Sequence, residues 1–432
     1  RKPLDIAGEL AAELAQVAGV EKAEPSPPGF VNLRLSGAAL VENLKAILRS
    51  PGNYAAATPE RARSILIEYV SANPTGPLHL ASGRAATLGD SLVRVLRRLG
   101  HTLWAEYYVN DAGGRAEKLG LSLKARYEQL QGKDTQVPED GYQGEYLKGI
   151  ASTLPPEAAG WTPEQFGRHA MRVLLETHKA DMASFGVSFD RWFLESELYA
   201  SKAVEKTLEF LRGRGMVYDK EGAVWLGTQA VEGAEDDKDR VLVKSTGTPT
   251  YFLPDIAYHK DKFDRGFTEL IDIWGADHHG YVPRMRAAIA AIGKEPAAFH
   301  PIVHQLVHLF RGTEAVKMSK RAGEFVSLRE VMEEVGKDAC RFFFALRTAN
   351  SHMNFDLELA KKQSSENPVF YVQYVHARIC SIFREAEKLL GAQAVAPDAL
   401  AKADGAKLSA PEERALLVKL AWFPATLQTC EA

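Results

Sequence analysis

Cysteine is scarce: three residues in 432, at positions 340, 380 and 430. None stands in a C-x-x-C or other metal-ligand spacing, and an odd number leaves one thiol over in any pairing scheme. That excludes a disulfide-stapled secreted scaffold and predicts reduced, non-catalytic thiols. Long apolar runs are missing too. No stretch reaches the roughly 18 to 20 apolar residues of a membrane span, and the opening RKPLDIAGELAAELA reads as an amphipathic helix without the apolar centre of a signal peptide. The expectation is a cytoplasmic protein, neither inserted nor exported. Nor is there an excess of one charge: 53 Lys and Arg against 56 Asp and Glu give a formal net charge of −3. Global basicity does not mark a nucleic-acid binder here, although basic residues gathered on one face would still serve RNA. Internal repeats and low-complexity tracts are absent as well.

What the chain has is length and patterned apolar content, enough for two or more cores. Leu4, Ile6, Leu10, Leu14 and Val17 recur at helical spacing, residues 28–35 (PGFVNLRL) alternate like a strand, a helix is predicted from Gly37 to Leu48, and PGNY marks a boundary. Residues 1–60 are thus expected to end a small α+β domain entered part-way. The chain starts without Met and stops at LQTCEA, so both ends are expected to be cut from something longer. SILIEYV (64–70) is a short apolar run of the kind a buried parallel strand shows. A Gly/Pro loop follows, then a helix from about Gly83 to Leu99 with Gly100 as its stop, and HTLWAEYYVND (101–111) returns to strand character.

Strand, glycine-containing loop, helix, strand is the opening of a doubly wound nucleotide-binding sheet, whose ligands sit at the carboxyl ends of the strands. From about 113 to 240 the pattern turns mostly helical, and strand character returns at RVLVKS, ELIDIWGADHH and FHPIVHQLVHLF. The expected fold class is α/β: a parallel, Rossmann-like sheet split by an insertion at 113–240, within a catalytic domain at 61–330. A connecting helical segment at 331–364 and an incomplete C-terminal helical domain at 365–432 complete the expected order.

Two motifs carry chemistry. The first, Ser71-Ala72-Asn73-Pro74-Thr75-Gly76-Pro77-Leu78-His79-Leu80-Ala81-Ser82-Gly83-Arg84, runs straight into a helix, whose free N–H groups and positive dipole end suit a phosphate. Alone, His79 would read as a structural histidine beside a Pro/Gly turn. The second, Val316-Lys317-Met318-Ser319-Lys320-Arg321, sets two ammonium groups three residues apart. Alone it would read as a solvated basic loop. In this order, astride a split nucleotide sheet, the pair resembles class I aminoacyl-tRNA synthetases, with their H-I-G-H-type turn and K-M-S-K-S loop. The run S-A-N-P-T-G-P-L-H and the segment Tyr251-Phe-Leu-Pro-Asp255-Ile-Ala resemble the bacterial-type arginyl-tRNA synthetases, and the likeness extends from PGFVNLRL to the NPVFYVQYVHAR segment.

The resemblance implies a ligase that activates arginine with ATP and passes it to the 3′ end of tRNA(Arg), with activation needing bound tRNA. Neither step uses a protein nucleophile, in keeping with cysteines that lie outside every motif. His79, Ser82, Lys317 and Lys320 are the expected catalytic residues. ATP would meet Pro74, Thr75, Gly76, Pro77, Leu78, His79, Leu80, Ala81, Ser82 and Gly83, together with Asp277, His278, Met318 and Ser319. Arginine, a planar and permanently charged fork, calls for fixed carboxylates and an aromatic hydroxyl. Glu195, Asp255 and Tyr251 would supply them, Ser71 and Asn73 would hold the α-amino group, and His278 stands where the family often has Gln. On the NPVFYVQYVHAR helix, Gln373, His376 and Arg378 would contact tRNA, whereas Val369, Tyr371, Val372 and Val375 would form a core stripe. No protein-bound metal is expected, because the adjacent residues Asp277, His278 and His279 point in different directions; Mg²⁺ would arrive on the nucleotide.

The expected partners are arginine, ATP and tRNA(Arg), with no membrane, and the expected state is a monomer. The motif departs from the family at Ala81, usually Gly, and Ser82, usually His, which bears on ATP affinity or rate. A small-molecule adenylyltransferase on the same sheet and a catalytically weak tRNA-binding relative are the alternatives. The long helical region after Lys320 argues against the former.

Overall fold

The computed structural model describes residues 1–228, 236, 238–316, 326–402 and 404–430. It divides into two compact units, one made of Arg1–Glu60, Arg98–Gly100 and Val372–Ala432, the other of Arg61–Arg97 and His101–Tyr371. The chain's two terminal regions thus share one unit.

In that first unit the helix Pro3–Leu14 starts with proline at its first turn, where a missing N–H costs nothing. It buries Ala7 and Ala11 and leaves Leu4, Ile6 and Leu10 exposed, the reverse of the face its larger apolar residues predict. An antiparallel hairpin follows, Val20–Ser26 against Phe30–Leu35. Ser36 caps the next helix, Gly37–Arg49, by accepting a hydrogen bond from the Ala39 N–H. The C-terminal helices Pro397–Ala401 and Pro411–Thr429 pack on Gly37–Arg49. Arg414 donates to the Leu35 carbonyl (2.6 Å), and the Tyr54 hydroxyl donates to the Leu420 carbonyl (2.5 Å).

The second unit is built on a five-stranded parallel sheet. Its order across the sheet is Phe299–His304, Glu269–Gly275, Ser64–Glu68, Thr102–Val109 and Arg191–Leu194. Ile65, Leu66 and Ile67 on the central strand are fully buried, as a strand covered on both faces requires. From that strand the chain winds outward one way through Thr102–Val109 and Arg191–Leu194. It then returns to build the other side, so the switch point lies at the carboxyl end of Ser64–Glu68. The sheet is doubly wound, as expected.

Local expectations are corrected in three places. Arg191–Leu194, inside the 113–240 stretch expected to be a single insertion, pairs with Glu106–Val109, so the interruption comes in two parts. RVLVKS does not rejoin the main sheet: Arg240–Val243 closes a small antiparallel sheet with Val217–Lys220 and Ala223–Leu226. The 331–364 segment is not wholly helical either, since Met353–Asp356 pairs in parallel with Val307–Arg311.

The helix Leu80–Arg98 begins three residues before the predicted Gly83 and makes two close approaches through glycine. A Cβ at Gly83 would come within 2.6 Å of Leu328 Cδ1 and 2.9 Å of the Phe344 ring, and one at Gly89 would enter the Tyr69 ring. Fully buried Arg84 donates to the carbonyls of Gln305 (2.9 Å), Thr348 (2.8 Å) and Ser351 (2.9 Å), fastening this helix to the later part of the unit.

In the first part of the interruption, the helices Arg115–Leu130 and Pro163–Ser184 cross backbone to backbone. A Cβ on Gly120 would run into the Pro163 carbonyl, and one on Gly167 into the Ala116 carbonyl. Around the crossing, Leu119, Leu123, Phe166, Ala170 and Leu174 form a separate core. Gly167→Ala should therefore destabilise this unit by overpacking, by about 1 to 3 kcal/mol, despite the better helix propensity of alanine. Urea unfolding followed by circular dichroism reads this as a lower midpoint. An unchanged midpoint would show that the helices have room to part.

Candidate active site

The turn after the central strand is strained and tightly held. Val70 (φ +72°) and Ser71 (φ +39°) occupy the left-handed region, which is costly for a β-branched residue. Ser71 Oγ donates to Glu68 Oε1 (2.8 Å) and accepts from the Tyr108 N–H (3.1 Å). Beyond it, the loop is clamped by side chains from the interruption and the neighbouring strand. The Ala72 N–H donates to Tyr107 Oη (3.1 Å), which lies 3.1 Å from His178 Nδ1, and His178 Nε2 lies 2.7 Å from the Gly76 carbonyl.

A carbonyl only accepts, so Nε2 carries the His178 proton. Burial pulls this imidazole below its ordinary pKa, leaving it neutral with Nδ1 an acceptor, one of two that share the single Tyr107 proton with the Ala72 carbonyl at 3.1 Å. Tyr146 Oη donates to the Thr75 carbonyl (2.5 Å), and Arg115 donates to Asn73 Oδ1 (2.6 Å). At the far end of the loop the Leu328 N–H donates to the Leu78 carbonyl (2.7 Å), and half-buried His79 bridges to Ser327.

On the other face of the same strand ends, carboxylates converge. Glu195, 5% exposed, opens the helix Glu195–Ala200 directly after Arg191–Leu194. Burial raises its carboxyl above the ordinary value, Tyr108 hydrogen-bonds to it and draws it down, and Asp111 and Asp255 push it up again. Burial and the charges of Glu195, Asp255 and Glu68 drive the Tyr108 hydroxyl far up, so it stays a donor. Asp255, on the helix Phe252–Asp264, accepts from Tyr281 Oη on Oδ2 (2.8 Å) and faces His259 Nδ1 on Oδ1 (3.1 Å). Crowded, partly desolvated carboxylates of this kind favour a cationic ligand, which relieves the repulsion between them.

Family comparisons agree along the chain. The model of the class I tRNA synthetase (R) catalytic domain matches residues 164–365, the arginyl-tRNA synthetase N-terminal domain matches 1–35, and the DALR anticodon-binding domain matches 372–432. The chain is 51% identical over 430 residues to an arginine–tRNA ligase of Elusimicrobium minutum, covering 100% of this chain and 77% of that one. The chain belongs to the arginyl-tRNA synthetase family. It is 43% identical to the Bacillus subtilis arginine–tRNA ligase over 433 residues, 98% of this chain and 76% of that one. A Campylobacter jejuni structure assigned as an arginyl-tRNA synthetase is 35% identical with a TM-score of 0.81, over 91% of this chain and 86% of that one. The Thermus thermophilus arginyl-tRNA synthetase shares the fold at 24% identity and a TM-score of 0.75, over 99% and 79%. As an arginyl-tRNA synthetase the protein is a ligase that activates arginine with ATP and transfers it to tRNA(Arg).

The loop from Ser71 to Gly83 and the carboxylates Glu195 and Asp255 come together at one end of one sheet. Within the loop, Pro74, Leu78, Leu80, Ser82 and Gly83 are buried, Thr75, Gly76, Pro77 and Ala81 partly so, and Asn73 is exposed. Asp277 and His278 follow Glu269–Gly275, exposed or nearly so and 3.7 Å apart. Tyr251 is 73% exposed with its ring 5.8 Å from the Arg115 guanidinium; the buried hydroxyl beside Glu195 is that of Tyr108. Lys317, Met318, Ser319 and Lys320 lie outside the described residues.

Gln373, His376 and Arg378 are exposed on the helix Pro368–Leu390 and belong to the other unit. The core stripe expected there is corrected: Val369 is buried, but Tyr371, Val372 and Val375 are exposed, because no described residue covers that face. Among the described residues no group of three or more His, Cys, Asp or Glu is set to hold a metal, and no helix is long and apolar enough to cross a membrane.

Sequence reasoning does not single out Tyr107, Tyr108, Tyr146 or His178. The readable signal is the Tyr107-Tyr108 pair at the carboxyl end of a predicted strand, where adjacent residues face opposite sides. Tyr107→Phe removes the partner of the Ala72 N–H and of His178. A lost hydrogen bond of about 1 kcal/mol, with a half-buried N–H left behind, should raise the KM for ATP roughly five- to tenfold and leave that for arginine within about twofold. Steady-state pyrophosphate exchange measures both constants, and an unmoved KM for ATP would show that the loop holds its shape without the clamp.

Proposed function

We propose that the acidic pocket of Glu195 and Asp255 is the arginine site and that the loop from Pro74 to Gly83 is the ATP site of this synthetase. The observation that carries this reading is the burial of Glu195 beside the Tyr108 hydroxyl and within electrostatic reach of Asp255. A guanidinium offers five donors in a plane and satisfies two carboxylates at once, whereas an ammonium is a point charge. Ser71 and Asn73 then face the α-amino group, and Tyr251 and His278 border the pocket's mouth. Held this way, the arginine carboxylate attacks the ATP α-phosphate in line and displaces pyrophosphate, and the terminal ribose hydroxyl of tRNA then attacks the adenylate carbonyl, loses its proton and displaces AMP.

On the nucleotide side, the N-terminus of Leu80–Arg98 and His79 face the α-phosphate, where negative charge builds in the transition state. Ser82 contributes a hydroxyl there, Asp277 and His278 meet the nucleotide or the adenylate, and Lys317 and Lys320, with Met318 and Ser319 between them, receive the leaving pyrophosphate. Mg²⁺ enters on the phosphates and adds positive charge to them. Residues 1–60 contact tRNA, 61–330 perform catalysis, 331–364 connect, and in 365–432 Gln373, His376 and Arg378 meet unstacked anticodon bases. The enzyme works as a monomer in the cytoplasm, where its tRNA is.

Asp255→Asn should raise the arginine KM by the loss of a charged pair, on the order of 2 to 5 kcal/mol or roughly thirtyfold and upward, without making lysine a substrate. The assay is arginine-dependent pyrophosphate exchange, run with tRNA whose terminal ribose is oxidised so that transfer cannot follow. An unchanged KM would remove Asp255 from the pocket.

Lys317→Ala and Lys320→Ala should instead lower kcat of adenylate formation and leave arginine affinity intact, as an interaction made mainly in the transition state does. Weaker arginine binding with kcat preserved would rule that role out.

A further inference from the structure

The two ends of the arginine pocket are joined through the protein interior. On adjacent parallel strands Glu68 and Asp272 are register partners, so their carboxylates stand side by side. Fully buried Lys262 bridges them, its Nζ 2.6 Å from Glu68 Oε2 and 2.9 Å from Asp272 Oδ1. The other Asp272 oxygen lies 2.9 Å from His259 Nε2. His259 Nδ1 lies 2.9 Å from the Asp255 carbonyl and 3.1 Å from Asp255 Oδ1, so one N–H is shared between them. At the opposite end, the second Glu68 oxygen accepts from Ser71 Oγ.

Helical spacing produces this line: Asp255, His259 and Lys262 stand at i, i+4 and i+7 on one face of Phe252–Asp264. Both nitrogens of His259 face acceptors alone, a carboxylate on one side and a carbonyl with a carboxylate on the other. Two donors are needed, and only the imidazolium has two. Burial and the neighbouring Lys262 work against that charge, but Asp272 and Asp255 outweigh them and lift the imidazole to about 9. Stability alone does not account for the cluster, because buried ion pairs are seldom worth more than apolar residues of the same volume. Its geometry has another consequence: Asp255 is gripped on both oxygens, by His259 on one and Tyr281 on the other.

We propose that His259 and Lys262 are positioning residues of the arginine site, a buried cationic relay that fixes the Asp255 carboxylate at the guanidinium end and the Glu68–Ser71 pair at the α-amino end. The inference rests on reading Asp255 and Ser71 as arginine contacts. A carboxylate aimed in advance spends no binding energy on being ordered, so losing the relay should weaken arginine binding and spare ATP.

The test uses the full chain in tRNA-supplemented pyrophosphate exchange, comparing His259→Leu, His259→Gln and Tyr281→Phe, with Asp255→Asn as reference. His259→Leu should raise the arginine KM about tenfold or more with the ATP KM within about twofold. His259→Gln, which keeps an N–H donor, should recover most of that loss, a rescue that restored packing alone does not explain. Tyr281→Phe releases the other Asp255 oxygen and should raise the arginine KM about three- to tenfold; it carries the test should the leucine variant fail to fold.

Parallel rises in both KM values, or a glutamine variant no better than leucine, would overturn the relay. If Asp255→Asn weakens arginine while the His259 and Tyr281 variants do not, the relay falls and the site reading stands. If Asp255→Asn also leaves arginine unmoved, both fall.

Discussion

The catalytic unit depends on one ammonium group, the Lys262 Nζ between Glu68 and Asp272. Parallel pairing forces those two carboxylates together at the strand ends where the chain changes direction, and together they would repel strongly in a dry interior. Lys262 relieves that repulsion by reaching between them from the covering helix. It thereby ties the central strand, the return strand and the helix bearing Asp255 to a common point. Asp272 is held low, at about 2, against the cost of burial by Lys262 and His259, whereas burial raises Glu68 against the pull of Lys262. Leu66, Ile256, Leu270 and Phe299 then fill the apolar space around the helix and sheet.

On the function proposed above, the two halves of the site are stabilised by different means, and the difference follows from what each would recognise. Phosphates are met by backbone, so the Ser71–His79 loop needs a fixed main-chain path, and its ties run to main-chain atoms of Ala72, Thr75, Gly76 and Leu78. These ties offset the strain at Val70 and Ser71. A guanidinium is met by side chains, so the pocket needs carboxylates with fixed rotamers, and the ties there run to carboxylate oxygens. Ala81 and Ser82, the two departures from the family motif, fall on the backbone-recognising side. There Gly83 lies close against Leu328 and Phe344, which leaves no room for a side chain in that first turn of the helix.

Legibility in sequence follows locality. Ser64–Glu68 and Thr102–Val109 are readable because apolar strands flanked by turn residues announce themselves within a short window. Arg191–Leu194 is not: four residues carry too little pattern, and only pairing with a strand some 85 positions away, Arg191 opposite Glu106 and Leu194 opposite Val109, makes them a strand. The motif residues are readable from the resemblance, but their supports are not. Lys262 and Asp272 are charged residues that base rates send to the surface, and nothing local reveals that they are buried. The stripe on Pro368–Leu390 fails for the complementary reason: helical periodicity shows that a face is apolar, not that anything covers it.

The bond from Leu328 to Leu78, with the His79 to Ser327 bridge beside it, gives the order of the two motifs a physical meaning. His79 and Ser327 are far apart in sequence, yet the stretch of chain that follows the second motif is stitched to the first where that motif enters its helix. Ser327 is also the cap of the next helix, Leu328–Val335, with Glu330 closing a capping box, so the stitch is made at a rigid point. Arg84 adds a second fastening from the same helix to the carbonyls of Thr348 and Ser351. On the functional reading proposed above, lysines that precede such an anchor, at a helix whose N-terminus faces the α-phosphate, serve the phosphates beyond it and not the amino acid.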